Sequence, residues 1–388
     1  MDIAFKDEQR HQQPKRIKTS HSSKTSEDPQ FVPTLLPDTL IEILLRLPVK
    51  SLLPCKSVCK LWRSTISDLH FVKSHLSLST SNNRYAHHRL IFYTGPRINP
   101  KSSPLYDVLY DKYCTDLELD YPLKHPLKSV SIAGCCNGLL LMVMKHGTLL
   151  IWNPSTRRSN RLPYGRFKVR LGWYVNYGFG YDESTEDYKV VGISCRGASY
   201  SKYNVKIYSL KTGSWKNIGD FPLGVPLDDF GTFSNGTLHW AARRGSFDSW
   251  KIVSLDLADE TYGELLQPVY DEGEKYLRLG ALGDWLCVLC DYYRDRADVW
   301  VMKDSWTKLV SVPYLPGPVL EFFSVPLCIT NDGKVLLQFG EKMFVYDSKN
   351  RSFSDILNID ECLEAYTFVE SLVSPYSHAG RGDNKQGG

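Results

Sequence analysis

The chain has 388 residues, with 47 basic and 43 acidic side chains, a net charge of +4 at neutral pH and a hydrophobic fraction of 42%. That length accommodates two or three domains, or one large barrel or propeller, and the near balance of charge demands neither nucleic acid nor a membrane surface as partner. Ten cysteines without framework spacing, no N-terminal apolar run of signal-peptide length and no apolar stretch near the ~20 residues that span a bilayer point to a reduced, intracellular chain.

Residues 1–33 are polar, rich in His, Ser, Lys and Gln and poor in aromatics, the composition of a disordered leader. Within them Pro14-Lys15-Arg16-Ile17-Lys18 reads either as a nuclear import signal or as a solvated basic tail, which leaves nucleus and cytoplasm both open.

The pattern changes over residues 34–78. Leu36-Pro37-Asp38-Thr39 opens a helix: Pro37 is pre-set for an initial helical position, Asp38 or Thr39 can accept from free amides, and Glu42 supplies an acidic first turn. Leu40, Ile43, Leu44 and Leu47 fall at i, i+3, i+4 and i+7, and Ile41 and Leu45 are apolar too, so the helix is hydrophobic around more than one face. Pro48 stops it. Val49 to Ser57 suggest a short second helix, and Val58, Trp62, Ile66 and Leu69 line a third. Domains below roughly 40–60 residues are marginal without a staple or a partner, and no disulfide or metal is suggested here, so the segment reads as a docking module.

These residues carry a resemblance. Leu36-Pro37-x-x-Leu40-Ile41-Glu42-Ile43-Leu44-x-Arg46-Leu47-Pro48-Val49-Lys50-Ser51-Leu52-Leu53, followed by Val58-Cys59-Lys60-x-Trp62, resembles the F-box. The resemblance implies docking on a Skp-type adaptor and, through it, on a cullin in a ubiquitin ligase. Leu36, Pro37, Leu40, Ile43, Leu44, Leu47 and Pro48 would lie against the adaptor, and Leu52, Leu53, Val58 and Trp62 would tie the later helices to it and to each other. One departure is Pro54-Cys55, where plant F-boxes usually carry Arg-Phe. Proline inside a helix costs on the order of 3 kcal/mol; if Ser51 caps the second helix, Pro54 lies in its first turn and costs little, and if the helix begins earlier, adaptor affinity suffers.

From about Arg89 to Ser374 helical stripes give way to short alternating runs rich in Val, Ile, Tyr and Trp. One unit recurs, with turns near Asn153, Ser209, Asp256, Lys303 and Asp347 spaced by roughly 45 to 55 residues, the period of a four-stranded propeller blade. Between them, Asn137-Gly138, Asn235-Gly236, Gly283-Asp284 and Asp332-Gly333 mark hairpins, because these pairs accept positive φ. Asn235-Gly236-Thr237 is read as such a turn in preference to a glycosylation sequon.

A second resemblance follows. Cys135-Cys136-Asn137-Gly138-Leu139-Leu140, Trp152-Asn153-Pro154-Ser155-Thr156-Arg157, Tyr177-Gly178-Phe179-Gly180-Tyr181-Asp182, Gly236-Thr237-Leu238-His239-Trp240 and the closing Val369-Glu370-Ser371-Leu372-Val373-Ser374-Pro375 resemble the F-box-associated, kelch-like interaction domain of plant F-box proteins. Together the expectation is an α+β multidomain chain: a small three-helix F-box over 34–78, an all-β, propeller-type domain over 85–376, and a disordered tail over 377–388. The tail's Arg381-Gly382-Asp383 is read as chance.

A search for chemistry finds no phosphate loop, no nucleophile elbow and no zinc helix, so neither a cofactor nor a metal is expected. Cys287-Val288-Leu289-Cys290 lies in a strand pattern where residues three apart face opposite sides, and it reads as buried thiols. Cys135-Cys136 read as small buried residues beside a hairpin, and His87-His88 lack nearby ligands. Asp182, Glu183, Glu186 and Asp187 read as a solvated hairpin tip; a calcium loop would need a Gly and a terminal Glu that are missing. Loops mixing cations with aromatics are candidates for gripping an acidic or phosphorylated target protein: Arg166, Arg170, Trp173 and Tyr174; Arg196 and Tyr200; Arg243, Arg244 and Trp250; Tyr292, Tyr293 and Arg294, with Arg296 beside them. The sequence thus implies a non-catalytic substrate-recognition subunit, with a stand-alone binding propeller and a propeller enzyme as rivals.

Overall fold

The computed structural model describes residues 37–82, 84–94, 99–115, 117–122, 130–144, 147–167, 173–196, 203–227, 230–243, 249–273, 275–293, 295–314, 324–359 and 361–377. The leader with its basic run, the Arg381-Gly382-Asp383 tail, Leu36, Arg170, Tyr200, Arg244 and Arg294 lie outside the described residues, as do the side chains of Pro37 and Arg196.

Four helices come first: α1 (Pro37–Leu45), α2 (Val49–Cys55), α3 (Lys60–Ser67) and α4 (Leu69–Thr80). Pro37 is the first helical residue of α1, and Asp38 is the acid of its first turn. Glu42 instead pairs with Arg46 one turn on, at 2.8 Å, with both side chains exposed. Helix α2 begins at Val49, with Pro48 in extended conformation before it, so Ser51 is not its cap. Pro54 consequently sits in the last turn and removes the amide that would bond to Lys50. The helix ends one residue later, with the Lys56 amide reaching back to Leu52 and Leu53. The third expected helix is two. Asp68 interrupts it in extended conformation, and its carboxylate accepts from the His70 and Phe71 amides at 2.9 and 3.2 Å to start α4. Val58 lies in the turn before α3 rather than on a helical stripe.

Apart from the two-residue strand Val225–Pro226, which pairs with Ala242 and Arg243, the described strands of the remainder form six four-stranded antiparallel blades, two of them joined in one sheet by a parallel pairing of their inner strands. From inner to outer strand, blade 2 is Val130–Cys136, Leu139–Met144, Thr148–Asn153 and Arg158–Arg161; blade 3 is Trp173–Asp182, Asp187–Arg196, Asn204–Ser209 and Ser214–Asp220. Blade 4 is Phe230–Ser234, Thr237–Arg243, Lys251–Asp256 and Tyr262–Leu265; blade 5 is Tyr276–Leu282, Trp285–Tyr292, Arg296–Met302 and Trp306–Pro313. Blade 6 is Cys328–Ile329, Lys334–Phe339, Lys342–Asp347 and Ser352–Asp355. Blade 1 joins the two ends of the domain: its innermost strand, Cys362–Val369, is the last in the chain and pairs with His88–Thr94, which is followed outward by Pro100–Pro104 and Leu117–Glu118.

The recurring Asn or Asp of the sequence has a common physical job. At the end of the third strand of blades 2, 4 and 6, the side chains of Asn153, Asp256 and Asp347 accept from the amides two and three residues on, closing the outer hairpin. The hairpins expected at Asn137-Gly138 and Asn235-Gly236 are formed, with φ of 52° and 78°, and of 46° and 77°. Close approach explains other glycines. Gly178 and Gly231 face each other where blades 3 and 4 pair in parallel, and a Cβ on either would press on Trp240, whose indole nitrogen donates to Asn176 at 2.8 Å.

Gly138 combines both demands: a Cβ there would stand 2.4 Å from the Val369 carbonyl, at positive φ. Gly138→Ala is expected to cost at least about 2 kcal/mol, read as a lower urea midpoint at unchanged m.

Candidate functional site

Within each blade the chain runs inner strand, hairpin, second strand, loop, third strand, hairpin, outer strand, so all first and third connections share one face of the disc and all second connections share the other with the links between blades. The parallel pairing of the inner strands of blades 3 and 4 fixes this common direction. Two distinct faces follow from that connectivity.

On the hairpin face sits the helical module. Leu44, Val49, Leu52, Ile66, Phe71 and Val72 share one buried core with Ala133, Leu139 and Phe179 of blades 2 and 3 and with Leu372 and Val373 after the last strand. Polar contacts fix the joint. His75 of α4 donates from Nε2 to the Leu47 carbonyl at 2.9 Å and meets His87 edge-on at 5.8 Å, and Lys73 pairs with Glu186 of the blade 3 hairpin. Burial lowers the His75 pKa, against the opposing pull of that carbonyl, and also lowers those of His87 and His88, which keeps the three rings neutral near pH 7.

The residues expected to meet an adaptor are divided by this packing. Ile43 and Val58 are 46% and 63% exposed, Pro48 is exposed, and Leu40, Leu47, Leu53 and Trp62 are half-buried. Leu44 and Leu52, at 1% and 0%, present nothing to a second molecule: they hold the helices to one another and to the propeller. Leu61, 61% exposed in the first turn of α3 and not singled out from sequence, joins the apolar surface that remains open. Its signal was the Cys59 cap, whose sulfur accepts from the Trp62 amide at 3.5 Å and sets the first turn of α3 at Lys60-Leu61-Trp62.

On the opposite face lie the described ends of the four cation-and-aromatic segments. Arg166 is exposed in the link from blade 2 to blade 3, while Trp173 and Tyr174 begin the inner strand of blade 3, half-buried and exposed. The Arg196 backbone ends the second strand of that blade, Arg243 ends the second strand of blade 4, and Trp250 is half-buried before its third. Tyr293 is exposed between the second and third strands of blade 5. Tyr292 departs from expectation. It is buried, its hydroxyl accepts from the Asp271 amide at 2.9 Å, and its ring lies 4.4 Å under the Arg296 guanidinium. Arg296 is itself taken up by Asp271, Asp295 and Asp298. Both residues brace the loop rather than present it.

The acidic turn of blade 3 is also corrected. Glu183 and Glu186 are solvated, but Asp182 and Asp187 turn inward: Asp182 pairs with Lys189 at 2.9 Å, and Asp187 accepts from the Ser209 hydroxyl and from the Lys211 amide at 2.8 Å. Cys287 and Cys290 are free and buried. Burial raises the Cys135 and Cys136 thiols, which are therefore protonated at neutral pH. Among the described residues no cluster of three His, Cys, Asp or Glu could hold a metal ion, and no helix is long and apolar enough to cross a membrane.

Between the faces runs a central channel of about 2230 Å³, lined by the inner strands. Its carboxylates among the described residues are Asp284, in the hairpin of blade 5, and Glu364, on the inner strand of blade 1, where it accepts from the Tyr366 hydroxyl.

Comparison with known proteins gives the following matches. A family model described as F-box domain matches residues 34–74, and one described as F-box associated beta propeller domain matches residues 107–375. An F-box/kelch-repeat protein of Arabidopsis thaliana is 35% identical over 363 residues, covering 89% of this chain and 97% of its own. The F-box protein CPR1 of the same plant is 31% identical over 388 residues, covering 90% of each. Among solved structures, a lectin of Aleuria aurantia aligns with a TM-score of 0.44 at 10% identity, over 70% of this chain and 93% of its own.

Proposed function

Because the chain belongs to the F-box proteins that carry an F-box-associated β-propeller domain, we propose that it is the substrate-recognition subunit of an SCF-type cullin-RING ubiquitin ligase. In this reading the helical module docks on a Skp-type adaptor, and through it on the cullin, while the loop face of the propeller holds a target protein for ubiquitination, in the nucleus or the cytoplasm. The subunit performs no bond chemistry of its own. It raises the effective concentration of a target lysine near a charged ubiquitin-conjugating enzyme.

The observation that carries the reading is the opposition of the two surfaces: exposed Ile43, Val58 and Leu61 on the module at the hairpin face, and exposed Arg166, Tyr174, Arg243 and Tyr293 toward the loop face. Placing the two surfaces on opposite faces leaves each free for its own partner, and the shared core of the helices with blades 2 and 3 ties the module to the propeller. Affinity purification of the full chain from plant cells is the test. Adaptor and cullin should co-purify with it and be lost when exposed Val58 and Leu61 are both replaced by aspartate, and a full chain that brings down neither would refute the assignment.

A further inference from the structure

We propose that the loop-face mouth of the central channel, around the inner strand of blade 5, binds an anionic peptide segment bearing carboxylates or phosphates, and that Arg278 reads its charge. This rests on the receptor reading above and adds to it the chemical class of the target.

Three cations line the channel at this mouth: Arg243 at the end of the second strand of blade 4, and Lys275 and Arg278 at the start of the inner strand of blade 5. Against them the described lining offers one carboxylate in the loop-face half, Glu364, across the channel on blade 1 and already bonded to Tyr366. Asp284 belongs to the opposite, hairpin end. Of the described acids just before Lys275 and Arg278 in sequence, Asp271 is taken up by Arg296, and Glu272 lies exposed outside the channel lining.

Arg278 is distinguished within this group. It is half-buried, its guanidinium lies 5.4 Å from the centre of the Tyr276 ring, and among the described residues it makes no ion pair or hydrogen bond. A half-buried guanidinium with all five donors unspent, held over an aromatic ring, is available to a bidentate anion. Lys275 is held in place without being neutralised: its ammonium donates to the Asp271 carbonyl at 2.6 Å, between the rings of Tyr270 and Tyr292 at 5.9 and 5.8 Å. Tyr276, Leu227 and Trp250 add apolar rim around the cations.

Size selects the occupant. Small-molecule pockets run to about 300–1,000 Å³, whereas the channel behind this mouth has about 2230 Å³ along its whole length, from Arg243 and Lys275 at the loop face to Asn137 and Trp285 at the hairpin face. An extended chain fills such a mouth and presents several side chains to the rim.

The test uses the full chain with its adaptor and two labelled probes, octaglutamate and a neutral octapeptide carrying one phosphoserine, with octalysine as control, read by fluorescence anisotropy. At least one acidic probe should bind, more weakly as salt rises, and octalysine should not; which probe wins tells a carboxylate-rich segment from a phosphorylated one. Arg278→Gln should weaken the bound probe about tenfold, with Arg278→Lys between the two because it keeps charge and loses the fork. Lys275→Gln should weaken it too, a second route should Arg278→Gln lower the melting temperature. Neither acidic probe binding, or both binding the Gln variants as they bind the wild type, would overturn the proposal. Adaptor capture measured on the same samples separates the two readings: capture without acidic-probe binding sinks this site alone, and probe binding through Arg278 without capture sinks the ligase assignment alone.

Discussion

Aspartate in place of Val58 or Leu61 is expected to abolish capture of a purified Skp-type adaptor while the chain stays folded. Both side chains are more than 60% exposed, so neither substitution opens a cavity or buries a charge in the free protein. In a docked complex the same carboxylate would be desolvated against an apolar surface, and loss of a central contact of that kind costs on the order of 2–4 kcal/mol, about 30- to 1,000-fold in affinity. Leu44→Ala provides the contrast. Leu44 is 1% exposed inside the core shared with the propeller, so its truncation costs about 2–5 kcal/mol of folding stability and reaches the adaptor only through the fold. Denaturation and pull-down on the three variants separate the effects: the aspartates should lose capture at unchanged melting temperature, and Leu44→Ala should lose melting temperature first. Wild-type capture by both aspartate variants would remove this surface from the docking site.

The helical module and the strand pairs nearest in sequence were legible because their signals are local. Proline at the first helical position, an apolar stripe at i, i+3 and i+4, and an Asn-Gly that accepts positive φ each act within a few residues, and each produced the expected α1 or hairpin. The Asn and Asp turns at 153, 256 and 347 were visible as a repeat for the same reason, since one side chain satisfies two amides of its own turn. The break at Asp68 was readable in principle from a capping residue just before Phe71 and Val72. The continuous apolar spacing from Val58 to Leu69 masked it.

Closure was not legible. Blade 1 takes its inner strand from the end of the domain and the other three from the beginning, and pairing between Ile91 and Tyr366 depends on no local pattern. Blade 1 also lacks the repeat signature, because its outer strand is only Leu117–Glu118 and a π-helical turn, Asp107–Asp111, replaces the hairpin before it. The loop residues divide on a related principle. Composition nominated Tyr292 and Tyr293 equally, and only the alternation of a strand running to its end decides that one faces inward to Asp271 while its neighbour faces solvent. Arg278 escaped notice because it sits in an apolar strand run, where a lone cation reads as edge solubility until the inner-strand position is known.

Asp182→Asn is expected to cost about 3–5 kcal/mol, the penalty for leaving one member of a buried ion pair uncompensated. The Asp182 carboxylate lies 2.9 Å from the Lys189 ammonium, with side-chain exposures of 1% and 8%, and Lys189 also donates to the Leu257 carbonyl on blade 4, so the pair ties two blades together. Desolvation pushes the Asp182 carboxyl up. Hydrogen bonds from the Thr185 and Ser184 hydroxyls, from Lys189 and from the Thr185 amide outweigh it and hold the group below the ordinary carboxylate range. A carboxyl depressed in the folded state contributes stability that is fully present above its unfolded pKa, about 3.9, and is lost as pH falls toward the folded value. Urea titrations should therefore show wild type well above Asp182→Asn at pH 7 and the gap narrowing below about pH 4, because protonation of wild-type Asp182 leaves Lys189 facing a neutral group much as the asparagine does. A gap that stays constant across that window would mean that the pair's charge contributes nothing and that the loss is one of packing alone.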